Sequence, residues 1–269
     1  MGQGDGMEIV SIGAGNLATQ LCLALQKSGH RVVQVFSRTE ESAAALAGRL
    51  GCEPISRLED VTPEASLYIL SVRDQVLEEV ACRLYDSLRR KVAPGCTRVG
   101  AGALFVHTAG SMPLDVLPML RRGVFYPMQT FSKQREMPFT GLPVFIESPS
   151  DAGLLRGLAE SMGANVYEMD SDSRRYLHVA AVFACNFSNH MYDVCARVLA
   201  RHGIPFEVML PLIDETARKV HDLTPREAQT GPAVRYDQTV MQRHLDMLDD
   251  DDLKQIYSLL SRHIHRYTE

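Results

Sequence analysis

Short runs of apolar residues alternate with helical patterns along the first half of the chain. The runs are rich in Val, Ile, Phe and Tyr and are bounded by Gly, Pro or Ser, as β-strands are. They predict strands at residues 8–12, 31–36, 66–72, 103–108, 123–127, 143–147 and 164–169. Helical patterns lie between them, at about residues 16–28, 40–50, 74–90 and 151–162. Strands that are apolar on both faces and separated by helices predict a mainly parallel sheet covered on both sides.

The strand pattern stops near residue 171. Residues 171–203 predict one long helix that ends near Gly203, and two terminal helices are expected between about residues 237 and 267. The acidic run at residues 249–252 is expected to join those two helices, because acidic charge suits a helix N-terminus. We therefore predict an α/β domain over residues 7–170 and an all-helical domain over residues 171–269.

Composition excludes several classes of protein. With 269 residues, 45% hydrophobic and 23% charged, the chain is expected to be an ordinary globular protein. A net charge of -5 argues against a nucleic-acid partner. Six scattered cysteines without a CxxC pair favour reduced thiols in the cytoplasm, and no metal site is predicted. Neither a signal peptide nor an apolar run of about 18 residues is found, so we expect no membrane association.

The motif GAGNLA, residues 13–18, follows the first predicted strand. Gly13 permits a tight turn, Gly15 lets the backbone approach a pyrophosphate, and Ala18 allows the helix to pack close to the strand. Strand, turn, helix and second strand follow in the order of a Rossmann dinucleotide-binding unit. The alternative is a tight turn that binds nothing.

The end of the second strand favours NADP over NAD. An NAD site usually has Asp or Glu there, whereas this chain has Ser37, Arg38 and Thr39. A guanidinium group and two hydroxyls suit a 2′-phosphate. Glu40 and Glu41 could instead pair with Arg38 and weaken this prediction.

Two further turns follow predicted strands at the same edge of the sheet. Ser71 and Val72 follow one strand, and Gly110 and Ser111 follow the next. Open α/β sheets bind ligands at this edge, so these residues are candidates to line a nicotinamide ribose or a substrate. Either turn could also serve as an ordinary helix N-cap.

Polar residues interrupt the apolar, small-residue pattern of the long helix. His178, Cys185 and Asn189 fall on one side of an ideal α-helix, and Asn186 and His190 lie on the adjoining flank. Imidazole suits proton transfer, and an amide can hold a carbonyl or imine group. We therefore take His178 and Asn186 as candidate catalytic residues and His190 as a substrate contact. Hydrogen-bonded core or interface residues are the alternative.

Two other segments contain candidate residues. His107 ends a strand and competes with His178 as proton donor, although its apolar surroundings favour a structural role. In TGPAVRYD, residues 230–237, Gly-Pro feeds a helix N-terminus where Arg235 could hold a carboxylate or phosphate. A plain helix start with a solvated Arg235 is the alternative.

Six motifs together resemble a known family: GAGNLA, the Ser-Arg pair at 37–38, HTAGS, YPMQTF, YLHVAAVFACN and TGPAVRYD. From about residue 7 to residue 265 the chain is similar to Rossmann-like proteins with a C-terminal helical domain of unknown function. Those proteins are relatives of pyrroline-5-carboxylate reductase and of the deazaflavin-dependent NADP oxidoreductases. The resemblance implies a Rossmann NAD(P)-binding domain, an all-α domain like that of 6-phosphogluconate dehydrogenase, and a homodimer formed through the C-terminal helices.

The resemblance also implies roles for particular residues. Cofactor contacts are implied at Gly13, Gly15, Asn16, Leu17, Ser37 and Arg38, and substrate contacts at residues 107–111, His178, Asn186 and residues 230–237. The chain departs from the hydroxyacid dehydrogenases of the wider superfamily, because its long helix lacks their Lys-x-x-x-Asn pair.

The leading hypothesis is an NADP-dependent oxidoreductase that acts on a small polar carbonyl or imine compound, with a carboxylate as the expected anchor. The alternative hypothesis is an NADP-binding sensor or interaction protein without redox activity.

Overall fold

The computed structural model describes residues 6–91 and 102–268, and these form one eight-stranded sheet with helices. The strands are β1 (Glu8–Ile12), β2 (Arg31–Phe36), β3 (Glu53–Ile55), β4 (Leu67–Leu70), β5 (Leu104–His107), β6 (Arg122–Pro127), β7 (Pro143–Glu147) and β8 (Asn165–Glu168). All seven strands predicted from the sequence are present, with bounds that differ by at most two residues. β3 was not predicted, because it is short and contains Pro54, which a strand at the edge of a sheet tolerates.

The strand order is β3-β2-β1-β4-β5-β6-β7-β8. Strands from β3 to β6 are parallel, β7 is antiparallel to β6, and β8 is parallel to β7. The predicted, mainly parallel sheet is therefore confirmed. The chain reverses its direction of travel across the sheet between β1 and β4, and ligands bind outside the carboxyl ends of the strands at such a point.

Helices cover both faces of the sheet, as predicted. They are α1 (Asn16–Lys27), α2 (Glu40–Leu50), α3 (Asp74–Lys91) and α4 (Ala152–Ser161). One buried cluster joins α1, α2 and α4 to the sheet through residues such as Leu21, Leu46 and Leu158. A second cluster buries Leu77 and Leu84 of α3 against the other face. The central strands β1, β4, β5 and β6 are buried on both sides, which is why both of their faces are apolar.

The predicted long helix is present with one local change. It runs as α5 (Ser171–Ala181), a π-helical segment (Val182–Phe187) and α6 (Ser188–Ala200). It ends three residues before Gly203, which has φ +68° in the turn that follows. A π-segment turns the chain through a smaller angle per residue than an α-helix does. The side of the helix on which Cys185, Asn186 and later residues lie therefore differs from that of an ideal α-helix.

The chain divides into two compact units, with the boundary between Ser188 and Asn189. Beyond α6, the second unit contains α7 (Leu210–Asp222), α8 (Gln238–Asp246) and α9 (Asp251–Thr268). The acidic run does join α8 to α9, as predicted. Of the residues described in this unit, only Ala233 is buried. The domain limits at residues 170 and 171 remain a prediction. No helix in the described ranges is long and apolar enough to cross a membrane.

Candidate functional site

The turn after β1 leaves room for a ligand at the start of α1. Gly13 has φ +126°, and a Cβ there would collide with the Ser71 carbonyl. A Cβ on Gly15 would meet no described atom within 4 Å, so the space above it is open. No described side chain caps the N-terminus of α1. The pyrophosphate of a dinucleotide fits this arrangement, because free helix N–H groups and the helix dipole bind anions.

A cavity of about 600 Å³ lies beside this turn, and we call it the turn cavity. Of the predicted cofactor residues, it is lined by Gly13, Gly15, Ser37, Arg38, Ser71 and Val72. Asn16 and Thr39 are not among its lining residues. The Thr39 hydroxyl instead donates a hydrogen bond to Ser42 Oγ at 2.8 Å. The structure therefore brings six of the nine predicted cofactor residues to one cavity.

Four arginines also line the turn cavity: Arg38, Arg57, Arg73 and Arg83. Arg57 and Arg83 form ion pairs with nearby glutamates. Arg38 and Arg73 have no carboxylate within 4.0 Å among the residues that the structure describes, so the glutamates of α2 do not pair with Arg38. Two guanidinium groups are thus available for an anionic group in this cavity.

Hydrogen bonds join the turns that follow β4 and β5. Thr108 Oγ1 donates to Ser71 Oγ at 3.1 Å, and the Ser111 hydroxyl is hydrogen bonded to the Asp74 carboxylate at the start of α3. Ser111 therefore contacts the first residue of the helix after β4 and does not cap a helix of its own. These bonds fix the edge of the sheet beside the turn cavity.

His107 is fully buried and uses both ring nitrogens within the chain. Nδ1 accepts a hydrogen bond from the Ala109 N–H at 3.2 Å, and Nε2 lies 3.2 Å from the Pro113 carbonyl oxygen. These partners require a neutral ring with its proton on Nε2. Burial, reinforced by the positive charge of Arg174, lowers the pKa of His107 to about 4. Its position is that of a residue that holds the loop after β5.

A tyrosine and a histidine form a pair at the carboxyl end of β6. Tyr126 Oη lies 3.1 Å from Nδ1 of His178 on α5, and the rings meet edge to face with centroids 6.0 Å apart. A Cβ on Gly110 would lie 2.6 Å from His178 Nδ1 and 2.8 Å from Tyr126 Cζ. Only glycine therefore allows the loop after β5 to pack against this pair. Burial raises the pKa of Tyr126.

A second cavity, of about 700 Å³, opens beside this pair, and we call it the dyad cavity. Its lining residues are Leu17, Tyr126, Pro127, Met128, Gln129, Thr130, Phe131, Leu177, His178, Ala180, Ala181, Val182, Ala184, Cys185 and Asn186. The predicted catalytic residues His178 and Asn186 thus line the same cavity, Asn186 from the π-segment. Leu17, predicted as a cofactor contact, belongs to this cavity and not to the turn cavity.

Tyr126 was not among the site residues predicted from the sequence. Its motif was recognised, but only as a marker of resemblance. The signal that could have identified it is its place at the carboxyl end of a parallel strand, the edge at which the other candidates lie.

A buried arginine ties α5 to the loop after β5. Arg174 is fully buried, and its guanidinium group donates to Glu147 Oε2 at 2.5 Å and to the Met112 carbonyl oxygen at 2.6 Å. Ser171 Oγ also donates to Glu147, at 2.7 Å, and accepts from the Leu114 N–H at 2.9 Å. This network lies one helical turn before His178, and it fixes the start of the helix that carries that residue.

The remaining candidates lie in the second unit. His190 and Arg235 are both exposed, and neither lines the dyad cavity or the turn cavity. Asp237 caps α8 by accepting a hydrogen bond from the Val240 N–H at 3.1 Å. This agrees with the plain helix start that was the alternative for the segment at residues 230–237. Within the described ranges, no group of three or more His, Cys, Asp or Glu is placed to hold a metal ion.

Together, the sheet order and the glycine turn are those of a Rossmann-type dinucleotide-binding fold. Two family models match the chain: NADP oxidoreductase coenzyme F420-dependent at residues 8–93, and a domain of unknown function, DUF2520, at residues 142–264. A Bacteroides fragilis crystal structure described as a "putative NADP oxidoreductase" is 50% identical, with a TM-score of 0.89 over 97% of this chain and 99% of that one. The chain therefore belongs to this family of NADP oxidoreductases with a C-terminal DUF2520 domain.

More distant solved structures share the fold. Imine reductase from Myxococcus stipitatus in complex with NADP+ is 16% identical, with a TM-score of 0.63 over 97% of this chain and 92% of that one. The 1-pyrroline-5-carboxylate reductase of Streptococcus pyogenes is 15% identical, with a TM-score of 0.61 over 98% and 99%. The predicted fold class and family resemblance are confirmed. The search of curated proteins gave no match.

Proposed function

We propose that this protein is an NADP-dependent oxidoreductase that reduces or oxidises a small carbonyl or imine compound. The observation that carries the proposal is the Tyr126–His178 pair on the wall of the dyad cavity. Gly13 and Gly15 line the turn cavity, and Leu17, from the same turn, lines the dyad cavity. A dinucleotide held at this turn would therefore have one end in each cavity.

NADP is preferred to NAD in this proposal. Arg38 and Arg73 line the turn cavity and have no acidic partner in the described part of the chain, and no carboxylate replaces Ser37 at the end of β2. Free guanidinium groups attract a 2′-phosphate, whereas NAD recognition normally uses an acidic residue there. Ser71 and Val72 would contact the ribose near the carboxyl end of β4.

The proposed chemistry needs one proton donor from the protein. When bound, the reduced nicotinamide supplies a hydride to the carbonyl or imine carbon. The Tyr126 hydroxyl donates its hydrogen to Nδ1 of a neutral His178, which orients the ring and leaves the ring proton on Nε2. As that Nε2 proton passes to the substrate oxygen or nitrogen, giving an alcohol or amine, Nδ1 takes the Tyr126 proton, and Tyr126 regains a proton from solvent. Asn186 would hold the reacting group of the substrate. His107 would hold in place the loop that carries Gly110 and Ser111.

An imine is a reasonable substrate class, because two enzymes that share the fold are described as an imine reductase and a pyrroline-carboxylate reductase. The expected carboxylate anchor at Arg235 and the contact at His190 remain predictions. The alternative function, an NADP-binding sensor without redox activity, is favoured by the absence of lysine from residues 171–203.

We also propose a homodimer that forms through the C-terminal helices. Four residues spaced by three or four positions form an exposed apolar stripe from α5 into the π-segment: Tyr176, Val179, Phe183 and Phe187. The helices of the second unit expose further large apolar side chains.

Free thiols at the five described cysteines support a cytoplasmic location.

Calorimetry and kinetics on two variants test the proposed function. We expect NADPH to bind more tightly than NADH, and Arg38→Ala to weaken NADPH binding by about 10- to 100-fold, because a charged hydrogen bond to the 2′-phosphate is lost. His178→Gln should keep NADPH affinity and lower the rate of NADPH oxidation with cyclic imines or ketones by about 100-fold or more.

The matched controls are Arg49→Ala and His202→Gln, which change exposed residues outside both cavities. Both controls should behave like the wild type. NADPH binding without hydride transfer to any carbonyl or imine compound would support the sensor instead, and no binding of either nucleotide would contradict both functions.

A further inference from the structure

The described lining of the dyad cavity has no permanently charged side chain. None of the 15 residues described there is Asp, Glu, Lys or Arg. We propose that this cavity binds the uncharged, largely apolar body of the substrate, so that the substrate is a hydrophobic ketone, aldehyde or imine. This substrate class replaces the carboxylate-bearing compound that the sequence led us to expect. This inference rests on the proposed function for the reacting end of the substrate, and it adds the chemical class of the remainder.

The polar and apolar parts of the lining differ in what they can recognise. Tyr126, His178 and Asn186 can each hydrogen bond to a single carbonyl or imine group. Most of the remaining wall is made of aliphatic, thioether and aromatic side chains, among them Leu17, Phe131 and Leu177. A few hydrogen-bonding groups on a mainly apolar wall are typical of a pocket that fixes one polar end of a hydrophobic ligand.

Arg174 and Asp74, two charged groups that act on Tyr126, already have partners in the chain. Arg174 is buried and holds Glu147 and the Met112 carbonyl group, and it does not line the cavity. Asp74 is hydrogen bonded to Ser111. A substrate carboxylate in this cavity would therefore lose its water without gaining a counter-ion from the lining.

The size of the cavity leaves room for an apolar body beside the cofactor. Its volume of about 700 Å³, which the nicotinamide end of the dinucleotide would share, is within the range of pockets that enclose drug-sized ligands. Three alanines, at positions 180, 181 and 184, leave this space open along one wall. Larger side chains there would fill it.

A matched pair of ligands tests the inference directly. Acetophenone and 4-acetylbenzoate differ only by one carboxylate, and calorimetry with the NADP+-loaded full-length protein measures the affinity of each. We expect acetophenone to bind about tenfold or more tightly, because only 4-acetylbenzoate brings an unpaired charge to the apolar wall. Equal or tighter binding of 4-acetylbenzoate, or no binding of acetophenone, would overturn the inference.

A variant that adds charge gives a second readout. Thr130 is an exposed lining residue, so Thr130→Arg adds a cation at the wall without changing the core. It should shift the affinity ratio toward 4-acetylbenzoate by about tenfold. Thr140→Arg, at an exposed position outside the dyad cavity, should leave the ratio unchanged. An equal shift in both variants would mean that the ligands bind elsewhere.

Binding and turnover separate this inference from the proposed function. Preferential binding of acetophenone without reduction of any carbonyl or imine compound would contradict the oxidoreductase proposal and leave the cavity assignment intact. Reduction of 4-acetylbenzoate in preference to acetophenone would support the oxidoreductase proposal and contradict the assignment of the cavity to an uncharged substrate.

Discussion

At the scale of single residues, the buried His107 ring should make the stability of the protein depend on pH. The pKa of His107 is about 4 in the folded chain and about 6.5 in the unfolded chain. Burial and the positive charge of Arg174 disfavour the charged ring. The hydrogen bond to the Pro113 carbonyl group and the charge of Asp74 favour it, but they offset this effect only partly. Between these two pH values the unfolded state therefore binds more protons than the folded state. The contribution of the neutral His107 ring to the free energy of unfolding is fully present above about pH 6.5 and is lost as the pH falls toward about 4. The loss from this residue should reach roughly 3 kcal/mol.

Urea unfolding at intervals from about pH 7 to about pH 4.5 measures this loss. His107→Gln should be less stable at neutral pH but should lose less stability on acidification, because the amide does not titrate. The exposed His221→Gln variant should keep the wild-type pH dependence. An unchanged slope in His107→Gln would show that other groups, such as the partly buried His30, account for the pH dependence.

The candidate residues could be named from the sequence, but their roles could not be separated. His107 and His178 were both candidate proton donors, and only the structure shows that the first uses both nitrogens inside a loop while the second lies on a cavity wall. The contact between Tyr126 and His178 could not be predicted either. These residues are 52 positions apart in the sequence and meet only through the fold, so no local pattern indicates their contact.

At the scale of elements, the Arg174 network should determine how firmly α5 is held against the sheet. Arg174→Met keeps a long side chain but removes the donors to Glu147 and to the Met112 carbonyl group. Removing the arginine leaves Glu147 with the Ser171 hydroxyl as its remaining partner and without a counter-ion, so we expect a loss of about 3 kcal/mol in the free energy of unfolding.

The neighbouring residue gives a matched control for this prediction. Arg175 is exposed and pairs with Asp172 at 3.2 Å within the same helix. Arg175→Met should change the free energy of unfolding by less than about 0.5 kcal/mol. Equal urea midpoints for the two variants would contradict the importance of the buried network.

Element by element, prediction succeeded where the pattern was long and periodic. The predicted helix at residues 40–50 matches the structure at both ends, since its apolar spacing, acidic first turn and Gly51 after the last turn agree. The three-residue strand β3 carries too short a pattern to predict. The π-segment also left no sign in the sequence, because apolar and small residues at 182–187 suit an α-helix equally well.

At the scale of the whole molecule, the βαβ order of the first half identified the sheet and the edge at which the two cavities lie. That inference succeeded because right-handed βαβ connections allow few topologies. The second half contains helices with little in their pattern to determine which faces pack together. The sequence predicts helices in the second half, but it does not show which surface covers their apolar faces.

The second unit lacks a buried core in a single chain, and this predicts a dimer. Of the residues described there, only Ala233 is buried, while Leu212 and Leu259 are 58% and 59% exposed. Apolar helical faces of this kind are stable in water only when another surface covers them, and a second copy provides matching faces by two-fold symmetry.

Sedimentation equilibrium should therefore give twice the chain mass of 29.9 kDa. The double variant Leu212→Glu and Leu259→Glu should dissociate or unfold, because charges on these faces lose their water without a partner. Leu120→Glu, which changes a leucine of the first unit that is 81% exposed, should remain dimeric. A monomeric wild-type protein that unfolds cooperatively would refute the prediction.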